Sequence, residues 1–122
     1  MIFFYPHYGL AKWSKLFSGR DNTSFHVDLK TLEVEEQIRR IMFLIDYKNP
    51  NEHGDLSSII KREINCNELM YRDLEINFFK INKGKGTKSR GSGKIKNPKW
   101  QYYPPGSSGG EIIKIICKLD SG

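Results

Sequence analysis

Cysteine is scarce in this sequence of 122 residues, which has only Cys66 and Cys117. A zinc site built from thiolates alone needs twice that number, and His7, His26 and His53 lack the close spacing of a zinc motif, so we expect no metal site. The even count favours a disulfide between Cys66 and Cys117. Such a bond persists only in an oxidising compartment, which indicates the periplasm or the cell surface. Two buried free thiols in a cytosolic protein are the alternative.

Long apolar runs are also missing. No stretch reaches the roughly 20 residues that a transmembrane helix needs. The N-terminus from Met1 to Tyr8 is apolar but lacks a basic start, and Pro6 and His7 interrupt it before a signal peptide's apolar core could form. We therefore expect residues 1–12 to be a separate N-terminal segment, and a signal sequence to have been removed or to lie upstream of Met1. Residues 13–122 have the length of one domain.

Acidic residues are absent from Lys80 to Lys99, where eight residues are Lys or Arg. The rest of the chain has 12 basic and 14 acidic residues and so carries −2, although the whole chain carries +6. The high pI therefore does not imply a general nucleic-acid or membrane surface. We interpret residues 80–99 as a basic flexible loop. The sharper hypothesis is that a few of its cations bind polyanions, such as sulfated glycans or acidic patches on a partner: Lys83, Lys85, Lys88 and Arg90.

Motifs that carry catalysis are missing as well. The sequence shows no Ser-His-Asp or Cys-His arrangement and no nucleotide-binding loop, so we expect neither an enzyme nor a cofactor. Glu33, Glu35 and Glu36 have little apolar flanking, which favours a solvated charged turn over a catalytic carboxylate pair. His26 is expected to be a solvent-facing strand residue.

Alternating apolar residues predict an antiparallel sheet. The interval from Ile38 to Tyr47 is apolar on both faces and is expected to be a central strand. Residues 29–37 are ambiguous between a helical turn and part of a hairpin. The other predicted strands cover residues 13–18, 25–28, 57–66 and 68–79. The last of these is expected to direct three side chains inward: Leu74, Ile76 and Phe78.

The C-terminal stretch combines a rigid turn with a helix start. Pro104 and Pro105 exclude helix before them, and Gly106 allows a sharp turn. Ser108 and Glu111 have the spacing of a capping box, in which each side chain binds a free backbone N–H. A helix with one apolar face is therefore predicted, with a terminal strand as the alternative. Its apolar face comprises Ile112, Ile115, Ile116 and Leu119.

Three blocks of this sequence have the form of family motifs. The first is Trp100 followed by Tyr-Pro-Pro-Gly-Ser at 103–107, then Glu111 and Cys117, with one residue inserted before the glutamate. The second is the strand and turn of residues 43–50, which ends in Asp-Tyr-Lys-Asn-Pro. The third is residues 61–66, ending in Glu-Ile-Asn-Cys. The three blocks resemble those of the surface-adhesin protein E family of Gram-negative bacteria, and they occur in that family's order.

Pattern and resemblance together predict an α+β fold: a single antiparallel sheet of five to six strands, with a C-terminal α-helix packed on one face and tethered by a disulfide. The resemblance implies an exported, non-enzymatic binding module in the periplasm or on the outer membrane, with an extracellular or host-matrix protein as ligand. It also implies a homodimer through the free sheet face or an edge strand.

Two other functions are open from the sequence. A small nucleic-acid- or polyanion-binding domain would use the loop lysines for phosphates and stack bases on strand aromatics, namely Phe78, Phe79, Tyr102 and Tyr103. Nucleic acid is not the partner we expect, because these aromatics do not alternate with the basic residues. A periplasmic carrier would hold an apolar small molecule between helix and sheet.

Overall fold

The structure is a computed structural model that describes residues 12–19 and 21–119. The predicted N-terminal segment lies outside the described residues, except for Lys12, and so does Arg20 of the predicted turn. Within the described ranges, the elements in chain order are β1 (Ser14–Ser18), β2 (Ser24–Glu35), β3 (Ile38–Asp46), β4 (Ser57–Asn65), β5 (Met70–Ile81), a 3-10 turn (Asn82–Gly84), β6 (Lys85–Lys88), β7 (Gly93–Lys94) and α1 (Ser108–Cys117).

The strands form one antiparallel sheet in the order β1-β2-β3-β4-β5-β6, and β7 pairs with β5 next to β6. Neighbours in sequence are neighbours in the sheet, because short turns join antiparallel strands. Helix α1 packs on one face, and Cys117 at its end is bonded to Cys66 just after β4. The predicted α+β fold is confirmed. The described sheet has six strands along its path and a seventh beside it, one more than the five to six expected.

Strand β3 lies in the interior of the sheet, as its two apolar faces predict. Phe43 and Ile41 face α1 and are each only 1% exposed, whereas Leu44 faces the other side and is fully buried. The helix adds three buried side chains to the first of these cores: Ile112, Ile113 and Ile116. The core between helix and sheet is therefore filled.

The predicted helix face is shifted in the structure. Ile115 was expected in the core but is exposed, and Ile113 is buried in its place. Ile112, Ile113 and Ile116 thus form the buried stripe of α1. Ile112 and Ile116 are correctly predicted.

The face opposite α1 has a smaller core made of Leu44, Ile59 and Phe79. The turn Asn82–Gly84 lies against it. A Cβ atom on Gly84 would be 2.5 Å from Cδ1 of Ile59, so the backbone approaches this core only because residue 84 is glycine. The Asn82 amide donates hydrogen bonds to Asp46 Oδ1 and Tyr47 O, each at 3.0 Å.

The segment of residues 80–99, predicted as a basic flexible loop, contains regular structure that these contacts hold to the sheet. The turn, β6 and β7 occupy much of this segment and pair with β5. The side-chain amide of Asn82 ties the segment to the end of β3, and the backbone N–H of Gly84 donates to Ser57 Oγ at 2.9 Å. The sequence pattern does not reveal such side-chain bonds, because they join residues far apart in the chain.

The ambiguous residues 29–37 are mostly strand. β2 runs to Glu35 with an irregularity between Asp28 and Glu33, where Thr31 Oγ1 donates to Asp28 O at 2.7 Å and accepts from Met42 N at 2.9 Å. Glu33 and Glu35 are exposed and pair with Arg40, but they lie in strand β2 and not in the predicted charged turn.

One side-chain orientation was predicted incorrectly. His26 is 7% exposed, not solvent-facing, and its Nε2 lies 2.8 Å from Ser24 Oγ. In β5, Ile76 packs against the helix-side core as predicted, and Phe79 is buried in the core on the opposite face. Phe78 is partly buried.

Candidate functional site

The C-terminal segment is held to the sheet by a buried arginine. Arg62 on β4 donates to both carboxylate oxygens of Asp73, at 2.6 and 3.1 Å, and to the hydroxyl of Tyr103 at 2.8 Å. Its guanidinium lies 4.4 Å from the ring centroid of Tyr71, and the rings of Tyr71 and Tyr103 stack at 4.3 Å. Tyr103 is thus fixed by a hydrogen bond and a stacked neighbour.

The pKa values of this cluster agree with a permanently charged arginine. Burial alone would lower the pKa of Arg62, but the hydrogen bonds and charge of Asp73 outweigh it and raise that pKa above its ordinary value. Burial also raises the pKa of Tyr71. Tyr71 therefore stays neutral at physiological pH and can stack on the cation.

The turn before α1 brings Tyr103 against the helix start. A Cβ atom on Gly109 would lie 2.3 Å from the Tyr103 ring, so the ring packs directly on the backbone of the first turn. Gly106 has φ +77, a left-handed conformation that suits glycine, and follows the exposed prolines Pro104 and Pro105. The predicted turn at Pro104, Pro105 and Gly106 is present.

The predicted capping box is displaced by one residue. The N-cap is Ser107, whose Oγ accepts a hydrogen bond from Gly110 N at 3.2 Å, and Ser108 is the first residue of α1. The position three residues after this cap is glycine, so no side chain reaches back to complete a box. Glu111 lies in the first turn, where its charge is favourable to the helix dipole, and pairs with Lys114 at 3.4 Å.

A groove of about 330 Å³ opens between this turn, α1 and the turn joining β4 to β5. We call it the C-terminal groove. Its most exposed apolar side chains are Tyr102, 64% exposed, and Leu69, 42% exposed. Charged residues also line it, and the prolines complete its wall: Glu68, Pro104, Pro105, Glu111 and Lys114.

A second concavity, of about 620 Å³, lies at the other end of β5 and is lined by His53, Lys80, Lys88, Ser89, Arg90 and Gly91. We call it the basic pocket. Asp55, 2% exposed, lies beside it and accepts hydrogen bonds from Ser89 Oγ and from Lys80 Nζ at 3.1 Å. The Ser89 hydrogen bond, followed by those of Lys80 and Asn51, lowers the pKa of Asp55. Asp55 is therefore ionised and engaged by Lys80.

Lys88 and Arg90 make no ion pair with any residue in the described ranges. Since Lys80 is matched by Asp55, these two exposed cations give the pocket its excess positive charge. The described residues contain no group of three or more His, Cys, Asp or Glu arranged to hold a metal ion. Among those residues, too, no helix has the length and apolarity to cross a membrane.

The sequence profile of the surface-adhesin protein E family matches residues 13–118. The chain belongs to this family. The prediction made from the three sequence blocks is thus confirmed. A comparison with curated proteins finds no match.

Solved structures of Haemophilus influenzae protein E share the adhesin E fold seen here. The selenomethionine form aligns with a TM-score of 0.64 and 15% identity over 88% of each chain. Crystal form II aligns with a TM-score of 0.59 and 17% identity over 76% of this chain and 79% of that one. Protein E from a non-typeable strain gives 0.58 and 15%, over 87% and 84%. At this identity the likeness establishes the fold.

The adhesin E signature and the predicted binding residues occupy different parts of the molecule. The disulfide of Cys66 and Cys117 is confirmed, with Cα atoms 5.7 Å apart. Of the predicted polyanion residues, Lys88 and Arg90 come together in the basic pocket, whereas Lys83 and Lys85 are not among its lining residues. Lys83 instead has a left-handed backbone at φ 65, and its N–H donates to Asp46 at 2.8 Å.

Two residues of the basic pocket were not predicted. Lys80 lies near the end of β5, and His53 lies in the turn after β3, 27 positions earlier. Lys80 Nζ donates to His53 O at 2.8 Å. The order of the strands could have predicted that these two residues are close. In an antiparallel sheet, the turn between β3 and β4 lies at the end of the sheet where β5 terminates.

Proposed function

We propose that this adhesin E domain is a non-enzymatic binding module, exported to the periplasm or the outer-membrane surface, that attaches to an extracellular protein carrying sulfate or carboxylate groups. The observation that carries the proposal is the basic pocket, where Lys88 and Arg90 lie exposed beside a carboxylate that Lys80 already engages. Family membership supports a surface adhesin role in general, and the pocket supports this class of ligand.

The geometry favours a discrete anionic group over a diffuse surface charge. Arginine offers a planar fork of donors that matches sulfate and carboxylate oxygens, and lysine adds a point charge. Ser89, between the two cations in sequence, has its hydroxyl committed to Asp55. Lys88 and Arg90 are thus the groups available to donate to a ligand.

Export is supported by the disulfide between Cys66 and Cys117, which persists in an oxidising compartment. The test is to fractionate cells that produce the full gene product and to trap thiols with a maleimide during lysis. We expect an oxidised protein in the envelope fraction. A reduced protein in the cytosolic fraction would contradict the proposal.

Heparin affinity tests the ligand class. Replacing both cations, Lys88→Ala with Arg90→Ala, is expected to weaken heparin binding about tenfold, because each charged hydrogen bond contributes about 1.5 kcal/mol or less at an exposed site. The control, Lys48→Ala with Lys118→Ala, removes the same charge from exposed positions outside the pocket. Equal losses in both variants, or retention that does not change with salt, would refute the proposal.

Observations count against the other two functions. The space between α1 and the sheet is filled by buried isoleucines, which leaves no room there for an apolar cargo. Base stacking beside the basic loop is also disfavoured, because Phe79 is 5% exposed and Tyr103 is stacked on Tyr71. Tyr102, the exposed aromatic of that set, lines the C-terminal groove and not the basic pocket.

A homodimer is part of the proposal. Strand β1 lies at one edge of the described sheet, and an edge strand presents backbone groups that a second copy can pair. Sedimentation equilibrium across a concentration series tests this. A single species with the monomer's mass at every concentration would remove dimerisation from the proposal and leave the basic pocket unaffected.

A further inference from the structure

We propose that the C-terminal groove is a separate binding site for an extended, proline-containing peptide segment that has a basic residue next to its prolines. The groove shares no lining residue with the basic pocket. The proposal therefore adds a second site of different chemistry to the anion site.

The walls of the groove suit a proline-rich segment. Extended proline-containing peptides bind in grooves lined by aromatic rings, because the preformed peptide loses little entropy and its proline rings pack flat on aromatic faces. Tyr102 offers such a ring, since it is 64% exposed, and Pro104 and Pro105 continue the apolar wall. A volume of about 330 Å³ accepts a few side chains but not a whole helix.

Leu69 is an exposed apolar residue that the fold does not explain. Its backbone has φ +54, a left-handed conformation that favours Asn or Gly, and its side chain is 42% exposed at the groove. Neither turn geometry nor core packing calls for leucine here. Contact with an apolar ligand gives this side chain a role.

One wall of the groove is fixed in place before any ligand arrives. Tyr103 is held by its hydrogen bond from Arg62, by stacking on Tyr71 and by close packing on Gly109. A site whose walls are already ordered loses little entropy on binding. The wall is therefore suited to recognise a segment of defined shape.

The charges select a basic residue in the ligand. Glu111 is paired with Lys114 at 3.4 Å, whereas Glu68 makes no ion pair with any other residue of the described ranges. The charged lining thus has an excess of one negative charge. An Arg or Lys beside the prolines complements Glu68, while the phosphates of a nucleic acid would be repelled.

The probe is a fluorescein-labelled synthetic peptide, Arg-Ala-Leu-Pro-Pro-Leu-Pro, and a companion with Gln in place of Arg. Fluorescence anisotropy against the full chain measures affinity. Tyr102→Ala is expected to weaken binding about tenfold or more, as for other central aromatic contacts. Glu68→Gln is expected to weaken binding of the Arg peptide and to leave the Gln peptide unchanged. Leu29→Ala, at a position 47% exposed outside the groove, is the matched control and is expected to bind normally.

Leu69→Asn separates binding from folding. Asparagine suits the left-handed backbone, so this variant is expected to raise the unfolding midpoint while weakening peptide binding. The Lys88→Ala with Arg90→Ala variant should bind the peptide normally, which distinguishes failure of this proposal from failure of the anion site.

Three results would overturn the assignment. The first is no saturable binding of either peptide to the unaltered chain. The second is binding that survives Tyr102→Ala and Leu69→Asn undiminished. The third is self-association that depends on Tyr102 in sedimentation experiments, which would assign the groove to a second copy of the chain.

Discussion

Arg62 holds the C-terminal segment to the sheet through its hydrogen bond to Tyr103. It is 6% exposed and its charge is balanced by Asp73, so removing it leaves a carboxylate in a poorly solvated position. We predict that Arg62→Ala lowers the free energy of unfolding by about 3 kcal/mol, as for other buried pairs that lose one partner. Urea denaturation followed by circular dichroism measures this.

The control for this prediction removes both charges together. Arg62→Met combined with Asp73→Leu leaves no unpaired buried charge and is expected to cost much less than Arg62→Ala alone. A double variant as unstable as the single one would show that stacking of the guanidinium on Tyr71, and not charge balance, dominates at this position.

Because His26 is buried, we predict that the free energy of unfolding declines at mildly acidic pH. This burial, helped by the nearby charge of Lys83, lowers the pKa of His26 below the ordinary 6.5. The unfolded chain then binds a proton that the folded chain does not, so the free energy of unfolding falls as pH drops from 6.5 toward the folded pKa. Urea titrations between neutral pH and pH 5 measure the slope.

His26→Gln is expected to reduce that slope, because glutamine can keep a polar contact with Ser24 without titrating. His53→Gln removes an exposed imidazole and serves as the comparison. If both variants decline with pH as the unaltered chain does, the titrating group is not His26.

The residues that line the basic pocket could be predicted only where charge composition marks them. Lys88 and Arg90 were identified because no acid occurs near them in sequence. Lys80 and His53 were not, since their meeting depends on strand pairing and on a hydrogen bond between residues 27 positions apart. His26 was predicted to face solvent but is buried, for a similar reason. The turn Asn82–Gly84, which lies on that face of the sheet, is far from His26 in the chain.

At the scale of elements, the first prediction concerns the N-cap of α1, which the structure places at Ser107. Ser107→Ala is expected to lower the free energy of unfolding by about 1 kcal/mol, because Gly110 N loses its acceptor. Ser108→Ala, one position later, is the matched control and is expected to change stability little. Thermal denaturation distinguishes the two, and a larger loss at Ser108 would contradict the observed cap.

The helix itself was correctly predicted, but its first turn was not. Ser107 and Ser108 are adjacent, and only the spacing to Glu111 favoured the second. The close approach of Tyr103 to Gly109 decides between them, because it fixes how the chain enters the helix. Contacts of this kind are not visible in local spacing. The strands were predicted more accurately than this helix start, because the alternation of apolar and polar residues indicates directly which strand face is buried.

At the scale of the whole molecule, the disulfide joins the end of the chain to the sheet across 51 positions. Replacing both cysteines, Cys66→Ala with Cys117→Ala, is expected to cost about 4 kcal/mol, the loop-closure entropy that the bond removes from the unfolded chain. Urea denaturation measures the loss, and the unaltered chain under reducing conditions should match it. Equal stability of the oxidised chain and the variant would contradict this prediction.

The attachment of residues 80–99 to the sheet has a consequence for the rate of ligand binding. Through Asn82, Gly84 and the pairing of β6, this segment is attached to the sheet instead of trailing from it. If an anion binds there, the segment that carries Lys88 and Arg90 is already ordered and does not have to fold on binding. Encounter should be governed by long-range attraction and should slow steeply as ionic strength rises, with little lag from rearrangement of the protein.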